Sequence, residues 1–348
     1  MAALQKSHSG FGLVELLIAL GLGLLLTTAV MQVTLASQRS QLLLDAAARL
    51  QESGRLAMSF LKTDIRTAGY MGCPNLQRIP LNVIAESPPA DFNFTAAEVL
   101  KGFDNVADDN TNTYDAVPGT DVVVLQRAAL PATRLTGNVN PNNANIQVAG
   151  NPAGLGRNDF VFITDCVNAD LFKANTVSAN NSNGNSGITI VHSRGSNNSN
   201  HLSKIYGRDA EIMGFQSLAY FIRDTGRTTA GGSAIYSLYV KARRFGSGAA
   251  PVATELIEGV ENMQLTYGVD TNADRSIDAY RVAADVADWS AVLSVRIELL
   301  MQSLEDNAVA ASGNFGQNTL QFNGAAVHQD GRLRQVYHSV VAIRNRLP

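Results

Sequence analysis

The stretch SGFGLVELLIALGLGLLL, Ser9 to Leu26, limits what this chain can become. From Phe11 to Met31 the sequence is apolar apart from Glu15, Thr27 and Thr28, and no proline interrupts it. About 20 apolar residues in a helix cross the hydrocarbon core of a bilayer. Residues 1–10 are short and polar, with Lys6 and no acid, so they would stay cytoplasmic while the rest faces outward. A secretory signal is the alternative, but it needs a shorter apolar core and a small-residue cleavage site. Here the helical pattern runs on. Glu15 is the oddity: an ionised carboxylate in lipid is costly and usually has a partner or a function. The plainer alternative is that Glu15 sits solvated among the headgroups.

Gly10-Phe11, an acid at the fifth position counted from Phe11, and the long apolar helix after it resemble the class III signal of type IV pilins. The resemblance implies that a prepilin peptidase cuts after Gly10 and that Phe11, the new terminus, is N-methylated. It also implies that Glu15 pairs with the terminal amine of a neighbouring subunit. Such a pair offsets part of the cost of a buried charge and rewards one axial register. Cutting removes Lys6 and leaves 26 Lys and Arg against 30 Asp and Glu.

The helix signal continues beyond the apolar run. Leu43, Ala46, Leu50, Ala57, Leu61, Ile65 and Ala68 recur at helical spacing, and Gly69 is a fitting stop. Charges at Asp45, Arg49, Glu52, Arg55, Lys62 and Asp64 fall largely on other faces. The heptad pattern is not clean enough for a free coiled coil. The expected organisation is a leader (1–10), a membrane or filament-core half-helix (11–33), an amphipathic half-helix lying on the head (34–69), and a periplasmic head (70–348).

After Gly72 short β-like runs alternate with polar segments. Candidate strands are 121–126, 160–165, 188–192, 218–223, 235–241, 262–267, 294–302 and 335–343, several rich in Val, Ile, Tyr and Phe. The segments DNVADDNTNTYD, GNVNPNNANIQVAGNP and NNSNGNSG read as exposed loops. One helix followed by a run of strands predicts an α+β fold, a long N-terminal helix against an antiparallel sheet. The segments DIRTAGYMGC, FITDCVNADLFKA, ELIEGVENMQLTYGVD and RLRQVYHSVVAIRNRLP resemble the PilW family of minor pilins. With the head placed in the periplasm by that resemblance, Cys73 and Cys166 are expected to form a disulfide; two buried thiols are the alternative.

In DTNADRSID, oxygen side chains at Asp270, Asn272, Asp274 and Asp278 occupy positions one, three, five and nine of a calcium-loop pattern. Arg275 stands where such loops prefer glycine, and Arg281 where they place a bidentate glutamate, so an EF-hand does not fit. A Ca²⁺ site and a solvated Asx-turn loop both remain open.

No other constellation carries chemistry. His192, His201, His328 and His338 lack metal-ligand spacing, and no nucleotide or hydrolase motif occurs. A net charge of -3 without a basic stripe gives no support for nucleic-acid binding. The expectation is a structural subunit, not an enzyme, that requires no cofactor. The resemblance implies a minor pilin that primes assembly near the pilus tip, supporting twitching motility and adhesion. Its implied partners are the major pilin, other minor pilins, prepilin peptidase, a PilY-type tip adhesin, the inner-membrane assembly platform and, before assembly, the lipid bilayer. A type II secretion pseudopilin and an adhesive head on a pilin anchor are the rival readings.

Overall fold

The computed structural model describes the chain outside residues 1–11, 73–79, 87–98, 109–111, 181–186, 245–250, 307, 310–319, 328–329 and 347–348. Gly10, Phe11, Cys73 and His328 lie outside the described residues. Helix α1 (Leu13–Arg66) is one unbroken run of 54 residues, roughly 81 Å long at helical rise. Gly12, in extended backbone, starts it, and its N–H donates to Glu15 Oε2 at 3.0 Å. The helix tightens at its end, where Thr67 N–H donates to the Asp64 carbonyl. Gly69, with φ of +72°, turns the chain away, and its N–H donates to the Gln126 carbonyl.

The head is built from strands β1 (Leu81–Val83), β2 (Leu100–Phe103), β3 (Val122–Arg134), β4 (Asn145–Val148), β5 (Phe160–Thr164), β6 (Ala169–Lys173), β7 (Thr176–Asn180), β8 (Gly187–Val191) and β9 (Glu211–Thr228). These are followed by β10 (Ala234–Arg244), β11 (Ala253–Glu258), β12 (Val260–Val269), β13 (Ala279–Arg281), β14 (Val292–Gln302), β15 (Gln321–Phe322), β16 (Ala325–Ala326) and β17 (Arg334–Ala342). The main sheet runs β1-β6-β5-β9-β10-β11, with β3 also on β9 and β2 beyond β3. It is antiparallel except for β1 beside β6. Long β9 organises it. Its one edge carries β3, and its other edge carries β5 near Glu211–Gly214 and then β10 from Gln216. A second sheet has the order β13-β12-β14-β17, and a third β4-β8-β7.

The largest core joins the helix to both bigger sheets. Leu50, Ala57, Leu61, Ile65 and Ala68 meet Leu125, Ile222 and Leu238 of the main sheet and Leu265, Ile297 and Val341 of the second. These helix positions are the ones the sequence spacing predicts. Strand β5 is buried on both faces because two smaller cores sandwich it. Val161 and Ile163 face Ile146, Val148 and Ile190 of the third sheet, whereas Phe160 and Phe162 pack with Met71 and Phe215. A strand covered on both sides reads as a continuous apolar run, as FVFIT does.

All eight expected strands are present, several extended at one or both ends. One expectation is corrected. The segment 137–152 is not merely an exposed loop: it contains β4, and Val139, Ile146 and Val148 are buried. Its asparagines supply turn chemistry between strands. Asn142 N–H donates to Asn140 Oδ1, Asn145 N–H to Asn143 Oδ1, and Leu155 N–H to Asn151 Oδ1.

Candidate filament anchor and helix–head junction

Among the described residues, nothing covers the first half of α1. Thirteen large apolar side chains between Leu13 and Val33 are exposed, from Leu13 at 76% to Leu16 at 57%. Leaving them in water costs on the order of 20 kcal/mol relative to burial. That is more than the whole stability of an ordinary domain. The segment therefore belongs in lipid or against other helices, and it is long and apolar enough to cross a membrane. Its polar atoms suit such a place. The hydroxyls of Thr27, Thr28 and Thr34 donate back to carbonyls of Gly23, Leu24 and Val30, so none needs water.

Glu15 sits on this exposed half and caps its own helix through Gly12. The capping bond uses one carboxylate oxygen and is exposed, leaving the acid accessible to a stronger, cationic partner.

The second half of α1 is fixed to the head by a polar cluster that the sequence pattern did not single out. Arg127 Nη2 lies 2.7 Å from Asp64 Oδ1, Arg127 Nη1 donates to Thr67 Oγ1 at 2.9 Å, and Tyr220 Oη donates to Asp64 Oδ2 at 2.5 Å. Both charged side chains are about seven-eighths buried. Burial, followed by the Asp64 charge and hydrogen bond, pushes the Tyr220 hydroxyl well above its ordinary range, so it stays a donor. The signal was present: Asp64 follows Leu61 by three positions and precedes Ala68 by four, placing an acid on the core face.

The chain's last described segment straps the helix down. Tyr337 lies over Gly54, where a Cβ would come within 2.5 Å of the ring, and its hydroxyl reaches the Leu50 carbonyl at 3.4 Å. Val341 and Ile343 enter the core, and Asn345 Nδ2 donates to the Ala68 carbonyl at 3.0 Å. Arg346 Nη1 donates to the carbonyls of Trp289 and Val292 at 2.6 Å each. Burial lowers the Arg346 pKa to about 10, which still leaves it charged at neutral pH. At the start of β17, nearly buried Arg334 bridges Glu261 at 2.6 Å and Asp330 at 2.6 Å. Burial alone would raise the Asp330 pKa, but hydrogen bonds from Arg334 and Arg332 outweigh it and hold the carboxylate well below its usual range.

Cys166 is disulfide-bonded, and its sulfur lies 3.8 Å from the Gly72 carbonyl. Asp270, Asn272, Asp274 and Asp278 lie on the loop joining β12 to β13. Their oxygens serve the loop itself. Asp270 accepts from the N–H groups of Asn272, Ala273 and Arg275, Asp274 from Ser276, and Asp278 from Thr271. Arg275 has φ of +68°, the conformation for which a glycine is preferred. Among the described residues no group of three acids, histidines or cysteines converges as a metal site. These bonds are the Asx turns of a tight loop. His192 is fully buried against Phe172, with ring centroids 4.9 Å apart, and burial lowers its pKa to about 4. His201 lies in a loop, and His338 is exposed on β17.

Residues 219–345 match the family model for the type IV pilus-assembly protein W. The match starts within β9 and includes the second sheet and the strap over the helix. Comparison with curated proteins gives no match. Among solved structures, a type IV-like pilin from Thermus thermophilus is 16% identical, over 38% of this chain and 67% of its own length, with a TM-score of 0.23. Over residues 219–345, which hold the second sheet and the strap over the helix, the chain is similar to the type IV pilus-assembly protein W family.

Proposed function

We propose that the chain is a minor pilin, a structural subunit that helps to start the pilus and sits in its tip complex. The observation that carries this reading is the division of α1: one unbroken helix, apolar and uncovered over its first half, built into the head core over its second. Such a helix waits in the inner membrane as a single-pass anchor with the head in the periplasm. It then moves into a bundle of like helices without refolding, because lipid and a helix bundle satisfy the same apolar surface. Prepilin peptidase cuts after Gly10, Phe11 becomes the methylated terminus, and Glu15 exchanges its Gly12 cap for a neighbour's terminal amine. The partners are the major pilin, other minor pilins, a PilY-type adhesin and the assembly platform. A head with four sheets among its described residues on one helix is bulky for a repeated layer, which favours the tip.

The disulfide of Cys166 is proposed to be with Cys73, the residue after Gly72. It would tie the end of the helix to the turn after β5. No enzymatic role and no calcium role are proposed. The processing step has a direct test: Gly10→Val is expected to leave an uncut, membrane-held precursor on a gel. A normally shortened product from that variant contradicts the reading.

A further inference from the structure

Among the described residues strand β17 is an edge strand, paired to β14 only. Beside its free edge runs a groove of 1320 Å³, walled on the far side by the flank of α1 from Ala48 to Arg66. Val340 and Ala342 on one face of β17 and Tyr337 and Val341 on the other all line it. Side chains of both parities meet one groove only where the strand's backbone edge opens into it. The two walls match in length. The helix wall spans roughly 27 Å at helical rise, and the strand wall roughly 30 Å at extended rise.

The open backbone edge of β17 favours one kind of occupant. An extended segment of six to eight residues matches its length and finds unpaired N–H and C=O groups on β17. Charge narrows the choice further. Arg55, Lys62, Arg66 and Arg344 line the groove against the single acid Glu52. Among the described residues none of these four cations has an ion-pair partner.

We propose that this groove receives an extended, carboxylate-bearing segment of another pilus subunit, added as a fifth strand on β17. Main-chain bonds to β17 hold it, and alternate acidic side chains reach Arg55 and Lys62 on the helix. The site is continuous with α1, so a strand held there would couple a neighbour's head to the helix that enters the filament. The source of the segment rests on the pilus reading; the groove itself does not.

The test uses the full chain in detergent micelles and two fluorescent eight-residue peptides of alternating sequence, Glu-Val and Lys-Val. The acidic peptide is expected to bind at least tenfold more tightly by anisotropy, and to slow amide exchange in residues 335–342. The double variant Arg55→Glu, Lys62→Glu, on exposed positions that leave the core intact, is expected to reverse that preference. Equal binding of both peptides, an unchanged preference in the variant, or binding without protection of β17 overturns the proposal. So does self-association of the chain that the acidic peptide cannot displace. Failure here leaves the cleavage of Gly10 untouched, so the two readings fail separately.

Discussion

Asp64 and Arg127 show how one ion pair can decide whether the helix stays on the head. Their charges lie mostly out of water, so removing one partner strands the other. Arg127→Ala is expected to cost about 3 kcal/mol in urea unfolding. Tyr220→Phe, which removes one hydrogen bond, should cost about 1 kcal/mol. Equal losses would mean that the pair is not the organising interaction. Asp121 makes a second prediction. It is 2% exposed and accepts from the N–H groups of Asn105 and Leu265, joining β3 to β12. Burial raises its pKa from 3.8 to about 7, with the two N–H donors only partly opposing it. The folded state thus holds a proton that the unfolded chain has lost between pH 4 and pH 7. This contribution is complete below about pH 4 and is lost as pH rises through about 7. Asp121→Asn is expected to flatten the fall in stability over that window, measured as urea midpoint against pH. An unchanged slope would place the titration elsewhere.

Within the elements, close approach of α1 to β17 explains a glycine that helix propensity disfavours. Gly54→Ala gains up to ~1 kcal/mol of propensity but drives a Cβ into the Tyr337 ring. A net loss of about 1–2 kcal/mol is expected, recovered when Tyr337 is also changed to Leu, as read in a double-mutant cycle. Gly21 and Gly23 have nothing within 4 Å, so their alanine variants should carry no such penalty. The helix and its buried face were legible in the sequence because Leu50, Ala57, Leu61 and Ile65 repeat at helical spacing for a single reason, one shared core. Strands such as FVFIT were legible because burial on both faces leaves a pure apolar run. Nine strands of six residues or fewer were not expected; among them β4 was missed because NIQV is short and framed by asparagines, whose turn-forming side chains were read as loop. The Asp64–Arg127–Tyr220 cluster was hidden for a different reason. Its members are far apart in sequence, and only the pairing of β3 with β9 brings Arg127 and Tyr220 to the helix. In 270–278 one spacing serves both Asx turns and cation loops, so the sequence alone left both readings open.

For the molecule as a whole, the helix end and the sheet must move as one body if the head is to be carried by the helix. The Cys73–Cys166 bond would close a loop of about 94 residues and contribute up to ~4–5 kcal/mol by the chain-entropy account. Unreduced protein is expected to show no free thiol in denaturant and two after reduction, and Cys166→Ser should unfold at lower urea. Free thiols in unreduced protein would refute the bond. The central claim is that the uncovered half of α1 serves first as an anchor and then as filament core, with Glu15 governing the change. It is tested by shearing pili from cells that carry the chain with an exposed head tag, wild type or Glu15→Ala, and blotting both filaments and membranes. The account predicts wild-type chain in the filaments at low copy, and Glu15→Ala chain cut to normal size but left in the membrane. Glu15→Ala chain in the filaments at the wild-type level, or wild-type chain missing from them, would contradict it.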